Sequence, residues 1–347
     1  MAKIISIFNN KGGVGKTSIL WNLGISFADK DKKVLLIDFD PQCNLSIATL
    51  GAKEFSDLLN DTETPDFPYG KTIKSFVLPY IQRNSIGKVF KIKPKYSQNN
   101  QNIDIIPGDF WLNNFADTLS VGNDVISGTG LYRFLILELL AKHADKEYDY
   151  VLIDLSPSFN TLVRSALYCS DYFIVPCTPD LFSSYCVNLI GEMLPNFIQD
   201  WEQGKQRFIK SDPNDKLILQ KGKPKFGGWI FNGFDTRKSV EVGADKALLN
   251  ILEGSIQNRL IPSLQNNIST YKAIPHFVNH EPVAKIEDLN VMASDSIYQN
   301  IPIKYLSQAK PTRDLRDRHS WASNQIELMN KMGNEFDKLA QYIIDNY

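Results

Sequence analysis

The stretch that decides the fold runs Lys3-Ile4-Ile5-Ser6-Ile7-Phe8, Asn9-Asn10, then Lys11-Gly12-Gly13-Val14-Gly15-Lys16-Thr17. Its first six residues are mostly apolar and β-branched and end in a turn cluster, the pattern of a short buried strand. The glycines that follow carry no Cβ, so loop N–H groups can turn inward around phosphate oxygens. A helix N-terminus beyond them adds positive potential. Lys16 is placed to reach β- and γ-phosphates, and the Thr17 hydroxyl to ligate Mg²⁺. Gly12, Gly13, Val14, Gly15, Lys16, Thr17 and Ser18 are the expected nucleotide-binding set. The usual pattern G-x-x-x-x-G-K-[ST] is met except at its first glycine, where Asn10 stands.

Outward from the loop, Leu20, Leu23, Phe27 and Ala28 recur at helical spacing, and Lys33 to Asp38 is a second continuous apolar strand. Further strands are expected at Asn102–Pro107, Tyr150–Asp154, Tyr172–Pro176 and Phe226–Asn232, with helices at Leu131–His143 and Leu162–Tyr168. Strands alternating with helices predict an α/β fold: a doubly wound, mainly parallel sheet with helices on both faces. Residues 60–101, 200–225 and 302–320 interrupt that rhythm and read as insertions on one domain spanning 1–347. The pattern shows no internal repeat and one phosphate loop.

Lys11 through Thr17 resembles the deviant Walker A box of the ParA/MinD/Soj group of P-loop ATPases, and the chain looks closest to its ParA-like partition members. Ile37-Asp38-Phe39-Asp40-Pro41-Gln42 resembles that group's D-x-D-P-Q element. Asp154, after Val151-Leu152-Ile153, stands where the group carries its Walker B carboxylate. The resemblance covers about residues 3–50, 102–110, 147–182 and 226–232. It implies ATP and Mg²⁺ as cofactors, with Lys11, Lys16 and Asp40 catalytic. Lys11 matches the signature lysine that reaches a dimer partner's phosphates, offsetting charge as an arginine finger does. Asp40 matches the aspartate that positions the attacking water. Thr17, Asp38 and Asp154 are the metal candidates, the two carboxylates suited to act partly through bound waters. Taken alone, Asp38 or Asp40 has a helix cap or turn residue as its less favoured reading.

Asn232 resembles the group's adenine-contacting asparagine, and reads equally as a left-handed turn residue before Gly233. Pro176 to Ser183 resembles the switch region. There, and at Leu155-Ser156-Pro157, the chain departs from the group's commoner sequences. Residues that are missing narrow the function. The cysteines (Cys43, Cys169, Cys177, Cys186) form no C-x-x-C pair, and none occurs between Cys43 and Cys169, where nitrogenase-type iron proteins carry cluster ligands. One phosphate loop argues against arsenite-pump ATPases, and the C-terminal end lacks the tyrosine cluster of bacterial tyrosine kinases.

Composition is that of a globular chain: 347 residues, 43% hydrophobic and 22% charged, with 38 Lys+Arg against 39 Asp+Glu. A net charge of −1 excludes a uniformly basic nucleic-acid binder. Local excess is another matter. Lys71, Lys74, Arg83, Lys88, Lys91, Lys93 and Lys95 occur without an acid in 71–95, and 201–225 and 302–321 are also basic. Such segments suit salt-sensitive phosphate contact without sequence readout, or else solvated loops. His276 and His280 have metal-compatible spacing but no supporting ligands, so they read as ordinary histidines. Residues from Gln325 onward read as a packed terminal helix rather than a basic membrane anchor. With reduced cysteines and neither a signal-peptide core nor a long apolar run, a cytoplasmic protein is expected, nucleoid-associated if it binds DNA.

The resemblance thus implies an ATP-dependent homodimer that binds DNA nonspecifically and is released when a ParB-like or cargo-adaptor protein stimulates hydrolysis. The alternatives are a MinD-like ATPase that localises a complex at a membrane or other surface, and an ATP-binding scaffold with negligible turnover.

Overall fold

A computed structural model describes residues 2–61, 68–96, 101–120, 125–128, 130–144, 148–237, 240–271, 280–312 and 320–347. Seven strands form one sheet: β1 (Lys3–Ile7), β2 (Val34–Asp38), β3 (Ile103–Ile106), β4 (Tyr150–Asp154), β5 (Tyr172–Cys177), β6 (Lys225–Phe234) and β9 (Ala284–Glu287). Between the last two, β7 (Thr236–Arg237) and β8 (Val240–Glu241) make a small antiparallel ribbon. The order is β3-β2-β4-β1-β5-β6-β9, and every pairing in the sheet is parallel. Parallel strands covered on both faces need apolar residues at every position, which is why β2, β4 and β5 are buried throughout.

Alternate residues feed two cores. Ile4, Leu35, Ile37, Val151 and Ile153 face one layer, with helices Ile136–Ala144, Thr161–Cys169 and Leu181–Phe208. Ile5, Val34, Leu36 and Leu152 face the other. That second layer holds helix α1 (Lys16–Asp29) and the helix Ser323–Asn346, whose Met329, Met332, Phe336, Leu339 and Ile343 are buried. Among the described residues no helix is long and apolar enough to cross a membrane.

Several expected elements differ in detail. The helix expected over Leu131–His143 is two pieces, Leu131–Phe134 and Ile136–Ala144, broken at Leu135. The stretch 60–101 contains a ten-residue helix, Lys74–Arg83, with Pro79 inside it and Phe76 and Val77 in the core. The start of 200–225 belongs to the long helix Leu181–Phe208, where Trp201 is fully buried. The 302–320 stretch begins with buried Ile303 and Leu306. Strand β9 carried no clear signal: four residues, two of them charged, at a sheet edge.

The basic segments are less basic in space than in sequence. Lys71 pairs with Asp61 at 2.8 Å and Lys93 with Asp104 at 3.0 Å. Lys304 joins Asp29 at 2.7 Å and Asp337 at 2.9 Å. Lys221 is buried 2.9 Å from both Glu138 and Asp171, which removes it from any surface patch. Arg313, Arg316, Arg318 and His276 lie outside the described residues.

Candidate functional site

Strand β1 sits between β4 and β5, so the loop after it opens at the middle of the sheet's C-terminal edge, where open parallel sheets place ligands. Gly13 (φ 74°) and Gly15 (φ 81°) adopt left-handed backbone that the loop's turn requires. A Cβ on Gly15 would also come within 2.5 Å of the Asn232 amide nitrogen. Asn9 ties the loop to β5, its Nδ2 donating to the Pro176 carbonyl at 2.7 Å and its Oδ1 accepting from the Lys11 N–H at 2.9 Å. The helix α1 then starts at Lys16, with the loop at its positive end.

Lys16 is buried, and its ammonium donates to the carbonyls of Asn9 at 3.2 Å and Lys11 at 3.1 Å. Burial pulls its pKa below the usual lysine value, and Asp154 and Asp40 partly resist that. Thr17 Oγ1 donates to Asp154 Oδ2 at 2.7 Å. Asp38 and Asp154 are direct register partners on β2 and β4, both fully buried. Asp38 accepts from the Ser46 N–H at 2.8 Å, the Ser46 hydroxyl at 2.6 Å and the Asp40 N–H at 3.3 Å. Asp40, also buried, accepts from the Gln42 N–H at 3.0 Å.

Asp154 and Asp40 thus both act on the Lys16 ammonium, with Asp38 neighbouring the two carboxylates. Burial raises Asp38 to about 7, with Asp40 adding to the rise, and Asp154 to about 8, with Asp38 and Asp40 adding. Burial raises Asp40 as well. Such an excess of carboxylate over cation fits a divalent cation, for which oxygen ligands of this hardness are suited. Thr17 Oγ1 and Asp154 Oδ2 stand nearest the loop. The oxygens of Asp38 are engaged by Ser46 and the Asp40 amide.

The cleft beside the loop encloses about 450 Å³ and is lined by residues 12–18, Asp40, Gln42, Asn44, Ile47, Leu155, Pro157 and Ile297. The structure places Gly12 to Ser18 and Asp40 on that cleft, and Asp38 and Asp154 side by side at the ends of β2 and β4. It places two candidates differently. Lys11 turns out of the cleft toward Thr178 and Asp180. Asn232 lies within β6 and donates to the Val14 carbonyl at 3.0 Å, bracing the loop; the left-handed residue there is Gly233 (φ 77°).

Ser46, Asn44 and Ile47, on helix α2 (Asn44–Leu50), were not foreseen, although they directly follow the D-x-D-P-Q element. Ile297 comes from helix Val291–Gln299, about 250 residues away, and nothing local to it in sequence pointed here.

A family model described as "AAA domain" matches residues 2–206. An uncharacterised protein of Methanocaldococcus jannaschii is 30% identical over 68% of this chain and 75% of its own length. The chromosome-partitioning ATPase Soj of Treponema pallidum is 26% identical over 80% of this chain and 88% of its own. Among solved structures, a Corynebacterium diphtheriae protein superposes with a TM-score of 0.66 at 21% identity, covering 88% of this chain and 98% of its own. An ATP complex of McdA from Cyanothece gives a TM-score of 0.57 at 16% identity, covering 99% and 96%. At those identities the two structures speak for the fold.

Proposed function

The chain belongs to the ParA/Soj family of P-loop ATPases, and from that premise we propose that it hydrolyses ATP with Mg²⁺ to switch a homodimer on and off nonspecific DNA. The reading that goes with it is one ATPase unit of residues 1–347, with insertions near 60–101, 200–225 and 302–320, acting in the cytoplasm in DNA partition or cargo positioning. One observation carries the catalytic part: Lys16, Thr17–Asp154 and Asp40 converge on a single cleft at the N-terminus of α1.

Each group has a task in that cleft. The loop N–H groups and Lys16 hold phosphate oxygens, and Lys16 exchanges its present carbonyl acceptors for them. Mg²⁺, when bound, would supply charge neutralisation on the phosphates. Thr17 and Asp154 hold the ion or its waters, and Asp38 fixes the neighbouring backbone through Ser46. Asp40, with its carboxylate at the cleft wall, orients the attacking water. Lys11 serves the partner's phosphates, and a ParB-like or cargo-adaptor protein sets the rate of release.

The DNA part rests on the basic segments, reduced by the ion pairs above, so contact is expected to be weak and steeply salt-dependent. Retention of double-stranded DNA on filters at rising salt tests it. ATP and Mg²⁺ should be required for retention, and Lys16→Ala should abolish both nucleotide binding and retention. No ATP-dependent retention at low salt, or ATP-dependent binding to anionic vesicles instead, counts against this choice.

A further inference from the structure

Lys11 is held by its own chain. Its ammonium forms an ion pair with the Asp180 carboxylate and donates to Thr178 Oγ1 at 2.6 Å and Ser183 Oγ at 3.2 Å. A lysine has three donors, and three acceptors surround this one. Thr178 and Asp180 belong to the turn between β5 and the helix Leu181–Phe208 and Ser183 to that helix's first turn, and the Lys11 side chain is only 17% exposed. Burial alone would raise the Asp180 pKa, but Lys11, Thr178 and the Ser183 amide together bring it below its ordinary value.

Asp180 has a second duty: its Oδ1 accepts from the Ser183 N–H at 2.8 Å, capping the long helix. Just beyond that cap, Leu181, Phe182 and Tyr185 are exposed at 67%, 57% and 57%, and Lys11 Nζ lies 6.0 Å from the Phe182 ring. The cation, its acidic partner and an apolar patch therefore form one surface beside the phosphate loop. At its other end, the Lys11 carbonyl accepts from Lys16, so Lys11 touches both the loop cation and the switch turn.

We propose that Asp180 is a latch that holds Lys11 in cis, so that dimerisation requires Lys11 to exchange Asp180 for the nucleotide of a second copy. The proposal rests on the ATP-switched dimer above and adds the competitor that restrains it. One ammonium cannot serve both acceptors. Every interaction that holds it at Asp180 in the monomer therefore weakens the dimer by the same factor.

The test uses the full chain with Mg²⁺ and a non-hydrolysable ATP analogue, reading the dimer dissociation constant by sedimentation and the nucleotide affinity by calorimetry. Asp180→Asn keeps a capping oxygen and removes the charge. It should tighten the dimer by about tenfold, the scale of one charge-assisted hydrogen bond, with nucleotide affinity of the monomer unchanged. Asp180→Ser, another good cap, should behave alike. The gain should vanish when Lys11→Ala is added to either. A dimer no tighter in both Asp180 variants, or a gain that survives Lys11→Ala, overturns the latch while leaving the ATPase reading intact. A wild-type chain that binds no nucleotide or forms no nucleotide-dependent dimer overturns both.

Discussion

Asp38 and Asp154 lie side by side in register on neighbouring strands, and their raised pKa values tie the site to folding. Both rise from an ordinary 3.8, so between that value and about 7 to 8 the folded chain binds protons that the unfolded chain has released. Their stabilising contribution is full below 3.8 and is lost as pH rises through about 7 to 8. Melting temperature without nucleotide or metal should therefore fall as pH is raised across that window. The slope should be shallower in Asp38→Asn, and Mg²⁺ with ATP should flatten it. A profile that rises with pH would contradict this account. Asp40 tests differently: Asp40→Ala should keep nucleotide binding and dimerisation while lowering turnover by roughly 10²-fold or more, as expected for loss of a water-positioning group. Unchanged phosphate release would remove that role. At this scale much was legible in sequence, because phosphate chemistry restricts residue type at each loop position. Lys11 and Asn232 were legible as residues but not as contacts, since Asp180 and Val14 meet them only through the fold.

Helix α1 shows what elements add. Its Gly24 faces the sheet so closely that a Cβ would lie 2.8 Å from Leu36 Cδ2 and 3.2 Å from Ile103 Cδ1. Gly24→Val should therefore overpack the layer and cost about 1–3 kcal/mol, despite the usual penalty for glycine within a helix. A urea-unfolding midpoint lowered at unchanged slope would show it. Strands β1, β2, β4 and β5 could be read from sequence because near-complete burial makes them mostly apolar. Helix Lys74–Arg83 could not, since Pro79 and the basic residues Lys74 and Arg83 look like a loop until Phe76 and Val77 are seen in the core. The edge strand β9 needs only Ala284 and Ile286 to be apolar, too little to distinguish four residues from a turn.

For the whole molecule, the net charge of −1 conceals pairing over long distances. Lys93 meets Asp104 and Lys304 meets Asp29 and Asp337, so a window count overstates how much cation the surface offers. The order of the sheet has a different consequence, one of timing. Lys3 pairs with Tyr150 and Ile5 with Tyr172, so β1 leaves the ribosome about 150 residues before either neighbour exists. At ordinary elongation rates that wait is roughly 7–30 s. Throughout it, an apolar segment and the glycine loop behind it stay unpaired, a need that chaperones meet. Nascent chains arrested before residue 150 should leave the Lys16 region open to protease, and chains arrested well past β5 should protect it. The glycine loop is made long before the strands that flank β1 and takes shape only with them, so a chain truncated before β4 and β5 should fail to hold nucleotide.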